Sequence, residues 1–201
     1  DLFTDQNNAI IYKDDDFFTS VFSNISSLGE KKYDLVIIDS FSTRSLYIKS
    51  QIALLTPFVA MFGYYNGPEV NRVLFSFHQM NKLLGYKKNE TEINEISKPS
   101  IFISKIDQKI ISSLDLPKSF IAIVVGGEWA FRTFNSWDLV IERLIKLDNK
   151  LDIVLIGSEN GVSDANSLAN KFEDYNLLNY VSKFTFNQTT ELIKHAEFII
   201  C

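Results

Sequence analysis

The chain has 201 residues, 46% hydrophobic and 22% charged, a composition shared by ordinary globular proteins and sufficient for one large domain or two small ones. Its formal net charge of −5 argues against broad nucleic-acid binding, which needs a basic face, but allows a small phosphorylated ligand held by one cation and a few amides. A single cysteine, Cys201, excludes an internal disulfide framework, and no apolar run reaches the roughly 18–20 residues of a membrane span.

The chain opens in an apparent strand, Asp1-Leu2-Phe3-Thr4, with no secretory signal, and closes in another, Glu197 to Cys201. A parallel sheet needs its strands covered, so the sequence reads as an internal piece of a longer protein. Residues 9–12, Ala-Ile-Ile-Tyr, form a short strand candidate. Asp14-Asp15-Asp16 follows, with an Asp-x-Asp spacing that can hold a divalent metal. It better suits the first turn of a helix whose stripe is Phe18, Val21, Phe22, Ile25 and Leu28, with Gly29 as its C′ residue.

Tyr33 to Asp39 is the clearest strand of this half, and its Leu-Val-Ile-Ile run predicts burial on both faces of a parallel sheet. Asp39 closes it at the end where open α/β sheets place ligands. Ser42, Thr43 and Arg44 then start a helix carrying Ile48, Ile52 and Leu55. Asp39, Ser42 and Arg44 can touch a polar acceptor, or cap the helix and face solvent.

Pro57–Phe62 reads as a strand, and Gly67-Pro68 as the opening of the longest helix, with Val70, Val73, Leu74, Phe77 and Leu84 in its core stripe and Gly85 at its end. His78 has no second His or Cys at ligand spacing and reads as structural. The polar stretch 87–98, Pro99, a short strand at 101–103 and Pro117 make residues 88–118 the candidate interdomain connection.

The second half repeats strand, turn and helix at short intervals. Phe120–Val125 runs into Gly126-Gly127, a loop carrying Arg132, and a helix capped by Asn135 or Ser136. Strand, glycine turn, cation and helix N-terminus are the parts of a phosphate site. Leu151–Ile156 is a second buried strand, ending in the turn Gly157-Ser158-Glu159-Asn160-Gly161. A helix at 164–172, a strand at 179–182, a helix ending near His195 and a last strand complete a Rossmann-like βαβαβαβ order. There is no Gly-x-Gly-x-x-Gly after a strand, no P-loop and no Gly-x-Ser-x-Gly elbow.

These segments in this order resemble glycosyltransferase family 9, the ADP-heptose:lipopolysaccharide heptosyltransferase group. Tyr33 to Asp39 with Arg44-Ser45 is similar to the family's Tyr-Asp-Leu-Val-Ile-Asp-Leu and Arg-Ser. Gly126-Gly127-Glu128 and Arg132-Thr133-Phe134-Asn135 stand where the family has its small-residue loop and Lys-x-Trp-Pro. Ile153–Ser158 resembles Val-Leu-Leu-Gly-Gly, and Ile193–Ile200 resembles Leu-Ile-x-x-Ala-Asp-Leu-Val-Val.

The resemblance spans about residues 33–201 and implies a GT-B-like α/β fold of two incomplete Rossmann-like parallel-sheet domains. The N-terminal, acceptor-side one is expected at 1–116, without its first strand, and the C-terminal, nucleotide-sugar-binding one at 117–201. It implies a metal-independent glycosyltransferase moving a hexose or heptose from a nucleotide-diphosphate sugar to a lipopolysaccharide or other cell-envelope saccharide, without a cofactor. Donor-binding residues would be Gly126, Gly127, Arg132, Gly157, Ser158, Glu159 and Phe184; acceptor-side candidates would be Asp39, Ser42 and Arg44.

The catalytic aspartate of the family would lie before residue 1, so the piece itself would bind donor weakly and turn nothing over. Ser26-Ser27-Leu28-Gly29-Glu30 imitates the loop that carries that aspartate, but it precedes the wrong strand. Two positions depart from the family: Glu128 puts a carboxylate near the diphosphate, and Gly161 falls where a ribose-binding carboxylate is common, a role left to Glu159 or Asp164. The expected partners are a nucleotide sugar and a saccharide or lipid-linked saccharide acceptor, with no nucleic acid. The expected place is the cytoplasm, with at most peripheral contact at the inner face of the cytoplasmic membrane. A non-catalytic nucleotide- or sugar-binding module and a metal-dependent enzyme centred on Asp14–Asp16 are the alternatives.

Overall fold

The computed structural model describes residues 1–28, 31–62, 71–127 and 129–201, which divide into two compact units, Asp1–Ile101 and Phe102–Cys201. No helix among the described residues is long and apolar enough to cross a membrane.

Unit 1 contains β1 (Leu2–Phe3), α1 (Gln6–Tyr12), β2 (Val21–Phe22), β3 (Val36–Ser40), α2 (Thr43–Ala53), β4 (Phe58–Phe62), α3 (Arg72–Leu83) and α4 (Glu90–Ile96). Its strands form two separate parallel ladders, β1 with β2 and β3 with β4. The strand expected at 9–12 is helical, because Asp5 accepts from the Asn8 backbone N–H at 3.0 Å and caps α1. The helix expected over 18–28 is absent. Val21 and Phe22, good strand formers, pair with Leu2 and Phe3, and a 3₁₀ turn follows at Ile25–Leu28. Asp15 accepts from the Phe17 backbone N–H, a local Asx turn.

β3 lies where the sequence places it, but it is not buried on both faces: Ile38 is buried while Ile37 is 46% exposed. α3 is capped by Asn71, and Gly85 ends it at φ +68°. The readings of Gly29, Glu30, Gly67-Pro68 and Val70 fall outside the described residues. The polar stretch at 87–98 forms α4, closed by a capping box between Asn89 and Glu92. No strand forms at 101–103.

Unit 2 contains α5 (Lys105–Ser112), β5 (Ile121–Val124), α6 (Trp137–Leu147), β6 (Ile153–Ile156), α7 (Val162–Lys171), β7 (Leu177–Asn179), α8 (Phe186–Ile193) and β8 (Phe198–Ile200). The four strands make one parallel sheet in the order β7-β6-β5-β8. One face, with Ile121, Ile123, Ile153 and Leu155, packs on Trp137 and Ile141 of α6 and Ala165 and Leu168 of α7. The other, with Ala122, Val154 and Ile156, packs on Ile111 of α5 and Leu192 of α8. Burial on both faces explains why β5 and β6 read as continuous apolar runs.

Because α5 was not visible in the sequence, the boundary was expected at 116/117. The contacts place it at 101/102, since Gln188 donates to Asp107 at 2.9 Å and Asn187 to the Phe102 carbonyl at 2.9 Å. β7 sits two residues before the expected 179–182. Asn179 ends it by accepting from the Val181 backbone N–H.

Candidate functional site: the glycine turns of the second sheet

From β5 the chain steps to β6 and β7 on one side of the sheet, then crosses to β8 on the other. The direction of winding therefore reverses between β5 and β8. Open α/β sheets hold ligands beyond the carboxyl ends of their strands at such a reversal. The turn after β5, with Gly126 and Gly127, stands at this place. All four strands are parallel, so the turns after β6 and β7, with Gly157–Glu159 and Phe184, lie at the same end of the sheet.

These turns are stitched to one another. The Asn160 side-chain amide donates to the Gly127 carbonyl, and the Ser158 hydroxyl donates to Asn160 Oδ1 at 2.6 Å. The Ser182 backbone N–H donates to the Gly157 carbonyl at 2.8 Å, adding the turn after β7. Gly126 has φ +92°, and a Cβ on it would come within 2.8 Å of the Gly161 Cα. A Cβ on Gly161 would strike the Val125 carbonyl oxygen.

The glycines thus allow loop to approach loop, a role the sequence reading had given to approach of the diphosphate. The crowding also explains the departure at Gly161, where no carboxylate-bearing side chain fits. Glu159 and Asp164, the proposed substitutes, are both exposed nearby.

Arg132 closes a 3₁₀ turn at Ala130–Arg132, its backbone N–H donating to the Trp129 carbonyl at 2.8 Å. Gly127 makes this fold-back possible, since a Cβ there would lie 2.7 Å from the Arg132 carbonyl oxygen. The Arg132 guanidinium is exposed and lies 5.6 Å from the Phe131 ring centre. Four residues on, Ser136 precedes α6 without making a side-chain capping bond. The helix N-terminus is thus not closed by a capping side chain, although the Leu139 backbone N–H already donates to the Ser136 carbonyl at 3.1 Å. In its first turn, Asp138 has its carboxyl held below the ordinary range because Lys171 donates to it at 2.9 Å. Glu128 falls outside the described residues.

Phe184 is half-buried, its ring 5.2 Å from that of Tyr180 within the second core cluster, so packing occupies much of it. Sequence reading missed the roles of Asn160 and Ser182. Asn160 sat in a quoted turn, but its reach of 33 residues to Gly127 has no local signal. Ser182, a non-glycine residue at φ 60°, has none either.

The acceptor-side candidates lie together in unit 1. Asp39 accepts from the Ser45 hydroxyl at 2.7 Å, Ser42 donates to the Ser45 hydroxyl oxygen at 2.8 Å, and Ser42 caps α2 through the Ser45 backbone N–H. Arg44 has no ion-pair partner among the described residues. All three border a cavity of about 1410 Å³. Its walls also include Leu2 and Phe3 of β1 and Val36–Ile38 of β3, one strand from each ladder. Lys49, buried beside it, donates to the Leu54 carbonyl at 2.9 Å and lies 4.9 Å from the Phe58 ring centre.

No family model matches the sequence, and no curated protein does. Solved structures do match the fold. The glycosyl transferase family 9 protein from Veillonella parvula DSM 2008 superposes with a TM-score of 0.69 at 12% identity, over 98% of this chain and 64% of that one. The Escherichia coli ADP-heptose LPS heptosyltransferase II superposes with a TM-score of 0.62 at 14% identity, over 98% and 67%. The chain therefore spans about two thirds of the length of each, and over that length it has the GT-B fold of family 9 glycosyltransferases.

Proposed function

We propose that this chain carries the donor-binding half of a glycosyltransferase that takes a hexose or heptose from a nucleotide-diphosphate sugar. The observation that supports it is the uncapped N-terminus of α6 beside the glycine turn and Arg132, at the reversal point of a parallel sheet. The diphosphate sits over the turn after β5. Arg132 binds a phosphate oxygen with its guanidinium fork, and the α6 amides take another. Gly157, Ser158, Glu159 and Phe184 border the nucleoside; Asp39, Ser42 and Arg44 of unit 1 are the candidate contacts of the acceptor.

In the transfer, an acceptor hydroxyl oxygen bonds to the anomeric carbon as the bond from that carbon to the diphosphate breaks. A carboxylate takes the hydroxyl proton, and the nucleoside diphosphate leaves with its negative charge. Arg132 and the helix N-terminus offset that charge, so the reaction proceeds without a metal or cofactor. The acceptor is a cell-envelope saccharide such as lipopolysaccharide, reached from the cytoplasmic side through at most peripheral membrane contact.

A second reading, a non-catalytic nucleotide- or sugar-binding module, is favoured by Gly161, where packing leaves no room for a ribose-binding carboxylate. Titration calorimetry with ADP- and UDP-sugars tests the first reading. Arg132→Ala is expected to weaken binding about 10- to 100-fold, the loss of one charge-assisted phosphate contact. Equal binding by the variant, or none by the parent chain, refutes the donor site.

A further inference from the structure

The outer face of α6 combines exposed apolar and cationic side chains in a way that the donor site does not use. Leu139 is 61% exposed and Leu147 75%, and Arg143 and Lys146 are exposed with them. At 3.6 residues per turn these four fall within roughly 100° of one another. The acidic residues of the helix are drawn to its flank, where Lys171 of α7 binds both Asp138 and Glu142 at 2.9 Å. No ion pair among the described residues involves Arg143 or Lys146. The face left over is cationic, although the whole chain has a net charge of −5.

An apolar groove of about 310 Å³ continues this face toward the N-terminus of α6, between Phe134, Leu139, Val140, Leu144 and the stem of Arg143. Beyond Phe134 the loop presents Trp129, 54% exposed, stacked on Phe131, 80% exposed, with ring centres 6.2 Å apart. Exposed single leucines are ordinary, but leucines, an aromatic pair and cations along one helix and its leading loop are not scattered. Tryptophan, phenylalanine and leucine beside arginine and lysine match the boundary between acyl chains and anionic headgroups.

We infer that Trp129, Phe131, Leu139, Arg143, Lys146 and Leu147 form a docking face for an anionic lipid surface. The inference rests on the function proposed above and deepens its peripheral membrane contact by naming the surface; Phe131 adjoins the donor loop, since the Arg132 guanidinium lies 5.6 Å from its ring centre. An apolar groove alone would also suit an amphipathic helix of another protein. The segregated cations favour lipid headgroups, and a salt-sensitive attachment follows from them.

Co-sedimentation of the chain with vesicles tests this. The chain is expected to sediment with equimolar phosphatidylcholine and phosphatidylglycerol, not with phosphatidylcholine alone, and to be released by salt. Arg143→Glu with Lys146→Glu, and separately Leu139→Asp with Leu147→Asp, should each lower vesicle binding about tenfold or more. Both pairs are surface changes, and an unchanged thermal melt and nucleotide-sugar titration confirm that each variant is folded. If both pairs fail to fold, the parent chain's dependence on phosphatidylglycerol and salt decides the matter. Sedimentation that ignores lipid charge, or that both variants retain, overturns the inference. So does self-association that Leu139→Asp abolishes without any vesicle binding by the parent chain. Vesicle binding without nucleotide-sugar binding would refute the donor site and leave this face standing; the opposite pattern would do the reverse.

Discussion

The Asn160 side-chain amide donates a hydrogen bond to the Gly127 carbonyl, tying the turn after β6 to the turn after β5 across 33 residues of sequence. Beside this bond, Gly126 and Gly161 meet backbone to backbone, so the two turns form one rigid floor at the carboxyl end of the sheet.

That floor is expected to be sensitive to a single methyl group. Gly161→Ala forces a Cβ into the Val125 carbonyl and should destabilise unit 2 by about 1–3 kcal/mol, the usual cost of overpacking. Asn160→Ala removes one hydrogen bond on an exposed side chain and should cost about 1 kcal/mol or less. Both tryptophans of the chain, Trp129 and Trp137, belong to unit 2, so urea unfolding followed by tryptophan fluorescence reports on this unit. An unchanged midpoint for Gly161→Ala would contradict the loop-on-loop packing.

The attachment of α6 to α7 should depend on acid pH. Lys171 holds the Asp138 carboxyl below its ordinary range. A depressed carboxylate contributes stability that is complete above its unfolded value, about pH 4, and is lost as pH falls through the lower folded value. The Lys171 ammonium is raised by Asp138 first and Glu142 second, so its share persists below the ordinary lysine range and disappears only as pH rises through the raised value. Asp138→Asn should therefore lower the melting temperature at pH 6 and converge with the parent chain in strong acid. The effect is expected to be small because the pair is exposed. A difference that grows on acidification would contradict this pairing.

The parts of this fold legible in the sequence are those in which burial alone decides the structure. β5 and β6 are sandwiched between helices, so their apolar runs announce them, and the stripe Trp137, Val140, Ile141, Leu144 and Leu147 announces α6, although Leu147 is 75% exposed and only the others face the core. Unit 1 was harder to read. Its ladders are short, Ile37 is exposed, and the helical spacing of Phe18 to Leu28 yields to pairing of Val21 and Phe22 with β1. α4 and α5 escaped because capping by Asn89 and Ser104 starts them in polar surroundings that resemble a linker. At the candidate site, glycine positions and the cation were visible, while the meaning of Gly161 was not. Its partner is a carbonyl 36 positions earlier, Val125, and only the parallel pairing of β5 with β6 brings the two together.

The most direct measurement of the central claim is an amide chemical-shift titration of the chain with an ADP- or UDP-sugar. The donor-site account predicts saturable shifts at Gly126, Gly127, Arg132, Trp137 and Asp138, and their loss in Arg132→Ala. Saturable shifts confined to residues 1–62 around the unit 1 cavity, or none at any nucleotide-sugar concentration, would contradict it.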